Sequence, residues 1–207
     1  MVLPRTNYSV QEYLDLERRS TERHEYLRGQ IYPMAPSRGD ATTNPKASLQ
    51  HSRICVNLMR EVSTQLKGRE CEALSPNMKV STGDGGLFSY PDLTVVCGRP
   101  VFFDDHNDIV LNPTVIFEVL SPSSESYDRG QKFFRYQTYL SSLAEYLLVS
   151  QQLPLVEHFV RQSDGQWVCS FVEGMSSHVE IRAIGCRLAL SEIYDRVAFR
   201  QPGGSPQ

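Results

Sequence analysis

Thr114-Val115-Ile116-Phe117-Glu118-Val119-Leu120 is the most apolar run of the chain, and it stops at Ser121-Pro122. Its length and β-branched content suit a strand, and its lack of polar alternation predicts a central one covered on both faces. Glu118 stands in the middle of that run, where an ionised carboxylate is costly without a cation or a hydrogen-bonded partner. Beyond the break, Phe133, Tyr136 and Leu140 recur at helical spacing over residues 128–140, and residues 145–149 return to strand character. The order strand, helix, strand predicts a β-α-β crossover and therefore a mixed α/β core, a central mixed sheet flanked by helices.

Upstream, Asp92 follows Pro91 and opens the apolar strand Leu93-Thr94-Val95-Val96. Residues 71–74, 77–81 and 87–97 read as strands with Gly83-Asp84-Gly85-Gly86 as the turn, expected to pair in one sheet. Over residues 47–66, Cys55, Leu58, Val62 and Leu66 recur at helical spacing, and Gly68 is placed to cap the run. His51 lies one turn before Cys55 and so points to the same packed side. Ser9 and Glu12 form a capping box for a short helix over residues 10–17, with Leu14 on its apolar side. Residues 25–32 read as two short strands around a glycine turn, closed by Pro33 and Pro36, and residues 38–45 as a polar loop. Downstream, residues 156–160, 167–172 and 179–183 look like strands that extend the sheet, with Asp164-Gly165 as a hairpin turn. A short helix over residues 191–197 follows. A single domain over residues 1–200 is expected, with residues 201–207 as a disordered tail.

With 207 residues, 40% hydrophobic and 22% charged, the chain is an ordinary globular sequence. No apolar run approaches the roughly 20 residues that span a bilayer, and no leader pattern opens the chain, so a soluble cytoplasmic protein is expected. Five cysteines (55, 71, 97, 169 and 186) are widely spaced without a C-x-x-C pair, which predicts buried thiols rather than a disulfide framework or a zinc site. A net charge of -3 weighs against a protein that holds nucleic acid by phosphate neutralisation alone, although 21 Lys and Arg could line a locally basic cleft.

Asp92 and Glu118 together carry the chemistry. Two carboxylates at the ends or bends of neighbouring strands make the incomplete oxygen cage that magnesium or manganese prefers, leaving room for water and a phosphate. Taken singly, Asp92 also suits a strand-initiating turn and Glu118 a buried ion pair. Lys132, early in the helix after the 121–127 loop, can reach back over the carboxyl end of the Glu118 strand to hold the attacking water or the phosphate. It equally suits a solvated helix face.

Several stretches resemble one family: Tyr90-Pro91-Asp92, Phe117-Glu118-Val119-Leu120-Ser121-Pro122-Ser123, Asp128-Arg129 through Lys132 to Tyr136, and Glu145-Tyr146-Leu147-Leu148-Val149. With Glu25-Tyr26-Leu27-Arg28-Gly29-Gln30-Ile31, Met34 and His51, in this order and spacing, they are similar to the Uma-type restriction endonucleases over about residues 9–150. The resemblance implies the PD-(D/E)xK nuclease fold. It also implies a magnesium-dependent endonuclease that hydrolyses phosphodiester bonds in DNA, with Asp92 and Glu118 on the metal. The parent motif puts its lysine two residues after the second acid, where this chain has Leu120. The resemblance moves that role to Lys132, with Lys79 as the fallback. Glu25 then serves as an additional acid and His51 as a phosphate or water contact, although a histidine on an apolar helix face is also at home as a core residue. Tyr136 is read as packing and Asp128 as an N-cap. A two-fold homodimer suits an enzyme that cuts both strands of a duplex. The acidic balance and Leu120 favour an alternative, a catalytically inactive nuclease-fold protein acting as a nucleic-acid-binding or protein-interaction module, its acids kept in buried ion pairs. A third reading is a different metal-dependent hydrolase with a small closed pocket.

Overall fold

The computed structural model describes residues 7–34 and 48–199, so the loop expected over residues 38–45, Pro36 and the tail over 201–207 lie outside the described residues. Helix α1 (Val10–Glu17) begins at Ser9, whose hydroxyl accepts from the Glu12 amide at 3.2 Å while the Glu12 carboxylate accepts from the Ser9 amide at 2.9 Å. Both otherwise orphaned amides are satisfied, and the helix buries Tyr13 and Leu14. Strands β1 (His24–Leu27) and β2 (Gln30–Pro33) form a hairpin whose two turn residues, Arg28 and Gly29, have φ of 45° and 92°. Positive φ at both positions is what a tight turn between twisted strands requires. Helix α2 (Leu49–Leu66) is capped by Ser48, which accepts from the His51 amide at 3.0 Å. Ile54, Leu58, Val62 and Leu66 make its buried stripe, with Cys55 beside rather than within it.

Next come β3 (Cys71–Leu74), β4 (Lys79–Ser81), β5 (Leu87–Ser89), β6 (Leu93–Cys97), β7 (Ile109–Val110) and β8 (Val115–Val119). A continuous helical segment follows: α3 (Glu125–Tyr127), a π-helical turn at Asp128–Lys132, and α4 (Phe133–Tyr139). Then come β9 (Glu145–Val149), β10 (Leu155–Arg161) and β11 (Trp167–Glu173). The main sheet has the order β11-β10-β9-β8-β6-β3, with β8 parallel to β9 and antiparallel to β6. Strand β8 is buried at every position. Val115, Phe117 and Val119 pack with the α2 stripe, whereas Ile116 and Leu120 pack with Phe133 and Tyr136 of α4. Side chains alternate across a strand, so Glu118 is delivered to the α4 side of the sheet.

The fold class is the expected one, and the structure corrects several details. Residues 87–97 are not one strand: the chain breaks at Tyr90-Pro91-Asp92, where proline cannot supply a ladder amide. As a result β4 and β5 leave the main sheet and join a second one of order β2-β1-β5-β4-β7. Strand β12 (His178–Ile181) pairs with β13 (Cys186–Ala189) in a separate ladder instead of extending the main sheet, and the last helix, α5, spans Leu190–Ile193. Cys71 and Cys97 are not free thiols. They face each other across the β3–β6 ladder with Cα atoms 3.9 Å apart and are disulfide-bonded, leaving Cys55, Cys169 and Cys186 free. Among the described residues no helix is long and apolar enough to cross a membrane.

A charged network ties α1 to the loop before β7. Arg18 reaches Asp104 at 2.7 Å and Asp108 at 2.8 Å, and Lys79 reaches Asp108 at 3.2 Å. Burial pushes the Asp108 carboxyl up, but the Arg18 hydrogen bond together with the charge and hydrogen bond of Lys79 outweighs it, leaving the carboxyl below its ordinary range. A depressed folded pKa contributes stability that is present above the unfolded value of about 4 and lost as pH falls through the folded one. Asp108→Asn is therefore expected to melt lower than wild type at pH 7, by no more than ~1 kcal/mol because the pair is partly exposed. The gap should close as pH drops below about 4, which melting curves across that range will check.

Candidate active site

The site forms where β6 and β8 part. The ladder ends where Leu93 pairs with Phe117, with Asp92 just outside β6 and Glu118 the next residue of β8. The Val119 amide, next in the chain after Glu118, donates to Asp92 Oδ2 at 2.8 Å, which fixes the carboxylate where the ladder ends. Asp92 Oδ1 lies 3.4 Å from His51 Nε2, and His51 Nδ1 lies 3.4 Å from Cys55 Sγ. His51 and Cys55 are four residues apart on α2 and so share one face of it. Each of His51, Cys55 and Asp92 offers a donor atom within 4.8 Å of the others.

On the other side of Glu118 sits Lys132. Its side chain has no exposed surface, and its ammonium is 2.6 Å from Glu118 Oε1, 3.3 Å from Glu25 Oε1 and 3.5 Å from Asp128 Oδ1. Residues 128 and 132, four apart, both point inward from a π-helical turn, a distortion often met at functional sites. Burial pulls the Lys132 pKa down, but the charges of Glu118 and Glu25, with smaller contributions from Tyr136 and Asp128, overcome it and hold the ammonium protonated. Three nearly buried carboxylates thus surround one cation.

The two halves adjoin. Burial pushes the Cys55 thiol well above its ordinary range, and the Asp92 charge, a hydrogen bond to Asp92 and the Glu118 charge add to this, so the thiol feels both carboxylates. Asp92 with His51 and Cys55 thus forms one group and Lys132 with Glu118, Glu25 and Asp128 another, linked where the amide of Val119, the neighbour of Glu118, donates to Asp92. Lys79 belongs to neither. It is held by the Tyr90 hydroxyl and Asp108, both at 3.2 Å, which removes it as the fallback lysine. Asp128 is not an N-cap: no side-chain cap bond opens this helical segment, and Asp128 is buried beside Lys132. Tyr136 is packed as expected, with its hydroxyl 2.7 Å from Ser89 Oγ. Two participants were not singled out from sequence, Cys55 as a donor and Asp128 as a partner of Lys132. Each stands four residues from a residue that was, and that spacing was their only signal.

Oxygen donors from Asp92 and Glu118 suit a hard divalent cation, and with 20% of its side chain exposed Asp92 is the acid reachable from solvent. Residues 10–191 match the model of the family Uma2, described as "Putative restriction endonuclease". The "Uncharacterized protein sll1609" of Synechocystis sp. is 34% identical over 169 residues, 82% of this chain and 89% of its own length. The "Uncharacterized protein slr1290" of the same organism is 33% identical over 201 residues, 95% of this chain and 96% of its own. Among solved structures, a "putative nuclease belonging to DUF820 from Anabaena variabilis" superposes with a TM-score of 0.70 over 92% of this chain and 99% of its own, at 15% identity. At that identity the likeness speaks for the fold alone.

Proposed function

Since this chain belongs to the Uma2 family of restriction-endonuclease type, we propose that it is a metal-dependent endonuclease hydrolysing phosphodiester bonds in DNA. Asp92 and Glu118 are its metal ligands and Lys132 its catalytic cation. One observation carries this reading: a lysine from the helix after β8 meets Glu118 at 2.6 Å, restoring the acid–lysine pair that Leu120 removes from the strand. Asp92 and Glu118 would hold a magnesium or manganese ion, which when bound would supply Lewis acidity toward water and the phosphate oxygens. The chain's own groups do the positioning. The Val119 amide and His51 aim Asp92, while Glu25 and Asp128 keep the Lys132 ammonium protonated and directed at the Glu118 carboxylate. From there its charge stabilises the phosphate as negative charge builds in the transition state. We place the enzyme in the cytoplasm as a two-fold homodimer, which brings two such sites to the two strands of a duplex.

Titration calorimetry with magnesium or manganese, alongside nicking of supercoiled DNA, tests the reading. Wild type should bind metal and nick, and Asp92→Ala and Glu118→Ala should do neither. The same buried ion pair also favours a second reading, a nuclease fold without turnover in which Glu118 and Lys132 only neutralise each other. A wild type that binds no metal, or that cuts equally well after either substitution, selects that second reading.

A further inference from the structure

His51, Cys55 and Asp92 differ in kind from the carboxylate pair. They offer one nitrogen, one sulfur and one oxygen, whereas magnesium takes oxygen almost exclusively. Three protein donors of mixed type with one side open are the arrangement used for zinc, and a thiolate selects for zinc-class ions over hard ones. The spacings are close to what such an ion needs. His51 Nε2 is 3.4 Å from Asp92 Oδ1 and 4.0 Å from Cys55 Sγ, and bonds of about 2.0–2.3 Å in a tetrahedron separate ligands by roughly 3.3–3.6 Å. Helix α2 presents His51 and Cys55 on one face, so small rotations of side chains already pointing at Asp92 close the remainder.

We propose that His51, Cys55 and Asp92 form a site for a zinc-class divalent cation, and that this ion competes with magnesium because both need Asp92. The inference rests on the reading of Asp92 as a metal ligand and adds a regulatory consequence. An ion seated toward α2 draws Asp92 away from Glu118, so zinc inhibits cleavage supported by magnesium. Binding replaces the thiol proton with the metal and releases that proton to solvent.

Cobalt chloride, titrated into the full-length protein with the Cys71–Cys97 disulfide intact and Cys55, Cys169 and Cys186 as free thiols, is the test. A thiolate-to-cobalt charge-transfer band should grow to saturation at one equivalent, and zinc should displace it. The band should vanish in Cys55→Ser and persist in Cys169→Ser and Cys186→Ser. Zinc affinity, read by titration calorimetry, should fall by about a hundredfold or more in Cys55→Ser, beyond the ~10–100-fold typical of losing an outer-shell partner. His51→Gln, which keeps the thiol, should weaken cobalt binding by a similar factor and stands in if Cys55→Ser fails to fold. A wild type without the band, a band that survives Cys55→Ser, or unchanged binding in His51→Gln overturns the proposal. The readout needs neither DNA nor turnover. A protein that shows the band yet never nicks DNA keeps this site and loses the nuclease, and one that nicks with magnesium but shows no band does the reverse.

Discussion

Lys132→Met is expected to unfold more easily than wild type by about 3–5 kcal/mol and to lose DNA nicking altogether. The methionine fills much the same volume, so the penalty is electrostatic. It leaves Glu118, Glu25 and Asp128 facing one another, all but buried, with no cation among them. Removing one partner of a buried pair costs far more than the pair is worth, because the surviving charge has neither water nor a counter-ion. Adding Glu118→Gln to Lys132→Met should therefore recover part of the lost stability, so the two substitutions will not be additive. Urea unfolding of the two single variants and the double variant measures this. A Lys132→Met protein as stable and as active as wild type would mean that the carboxylates do not depend on the ammonium, and the proposed catalytic cation would go with it.

Asp92→Asn should separate function from folding. The asparagine carbonyl can still accept the Val119 amide, which is 2.8 Å from Asp92 Oδ2, and one fifth of the side chain is in solvent. Stability should fall by no more than about 1–2 kcal/mol, since the Val119 amide keeps its acceptor and only the His51 and Cys55 contacts of the carboxylate are weakened. The amide brings no charge to a divalent cation, so nicking should fall by about a thousandfold or more, equivalent to ~4 kcal/mol of transition-state stabilisation. Magnesium affinity measured by calorimetry should fall with it. An Asp92→Asn protein that nicks at the wild-type rate would remove Asp92 from the metal and with it the chemistry proposed for the site.

Much of the site is legible in local sequence because local rules place it. The apolar run around Glu118 reports a covered strand, Pro91 reports a strand start beside Asp92, and the 128–140 periodicity reports the helix that carries Lys132. The capping box at Ser9 and the glycine turn at residues 28–29 are likewise local, and the structure has both.

What local rules leave open is which side of a sheet a side chain meets and what stands there. Tyr90-Pro91-Asp92 could be read as a kink within one strand or as a crossing between two sheets, because a proline only removes an amide and does not say where the chain goes next. Cys71 and Cys97 become partners only because β3 lies against β6, a register that a separation of 26 residues cannot announce. Cys55 looks like packing until α2 brings it beside Asp92, and Asp128 looks like a cap until it is found buried 3.5 Å from the Lys132 ammonium. The sequence by itself determined the mixed α/β elements, the buried acid and the lysine that follows it, since hydrophobic period and charge are properties of the chain. Only the tertiary structure decided which donors meet Asp92 and which carboxylates surround Lys132, since those contacts join β1, α2, β6, β8 and the π-helical turn, elements distant in sequence whose packing is settled by the whole core at once.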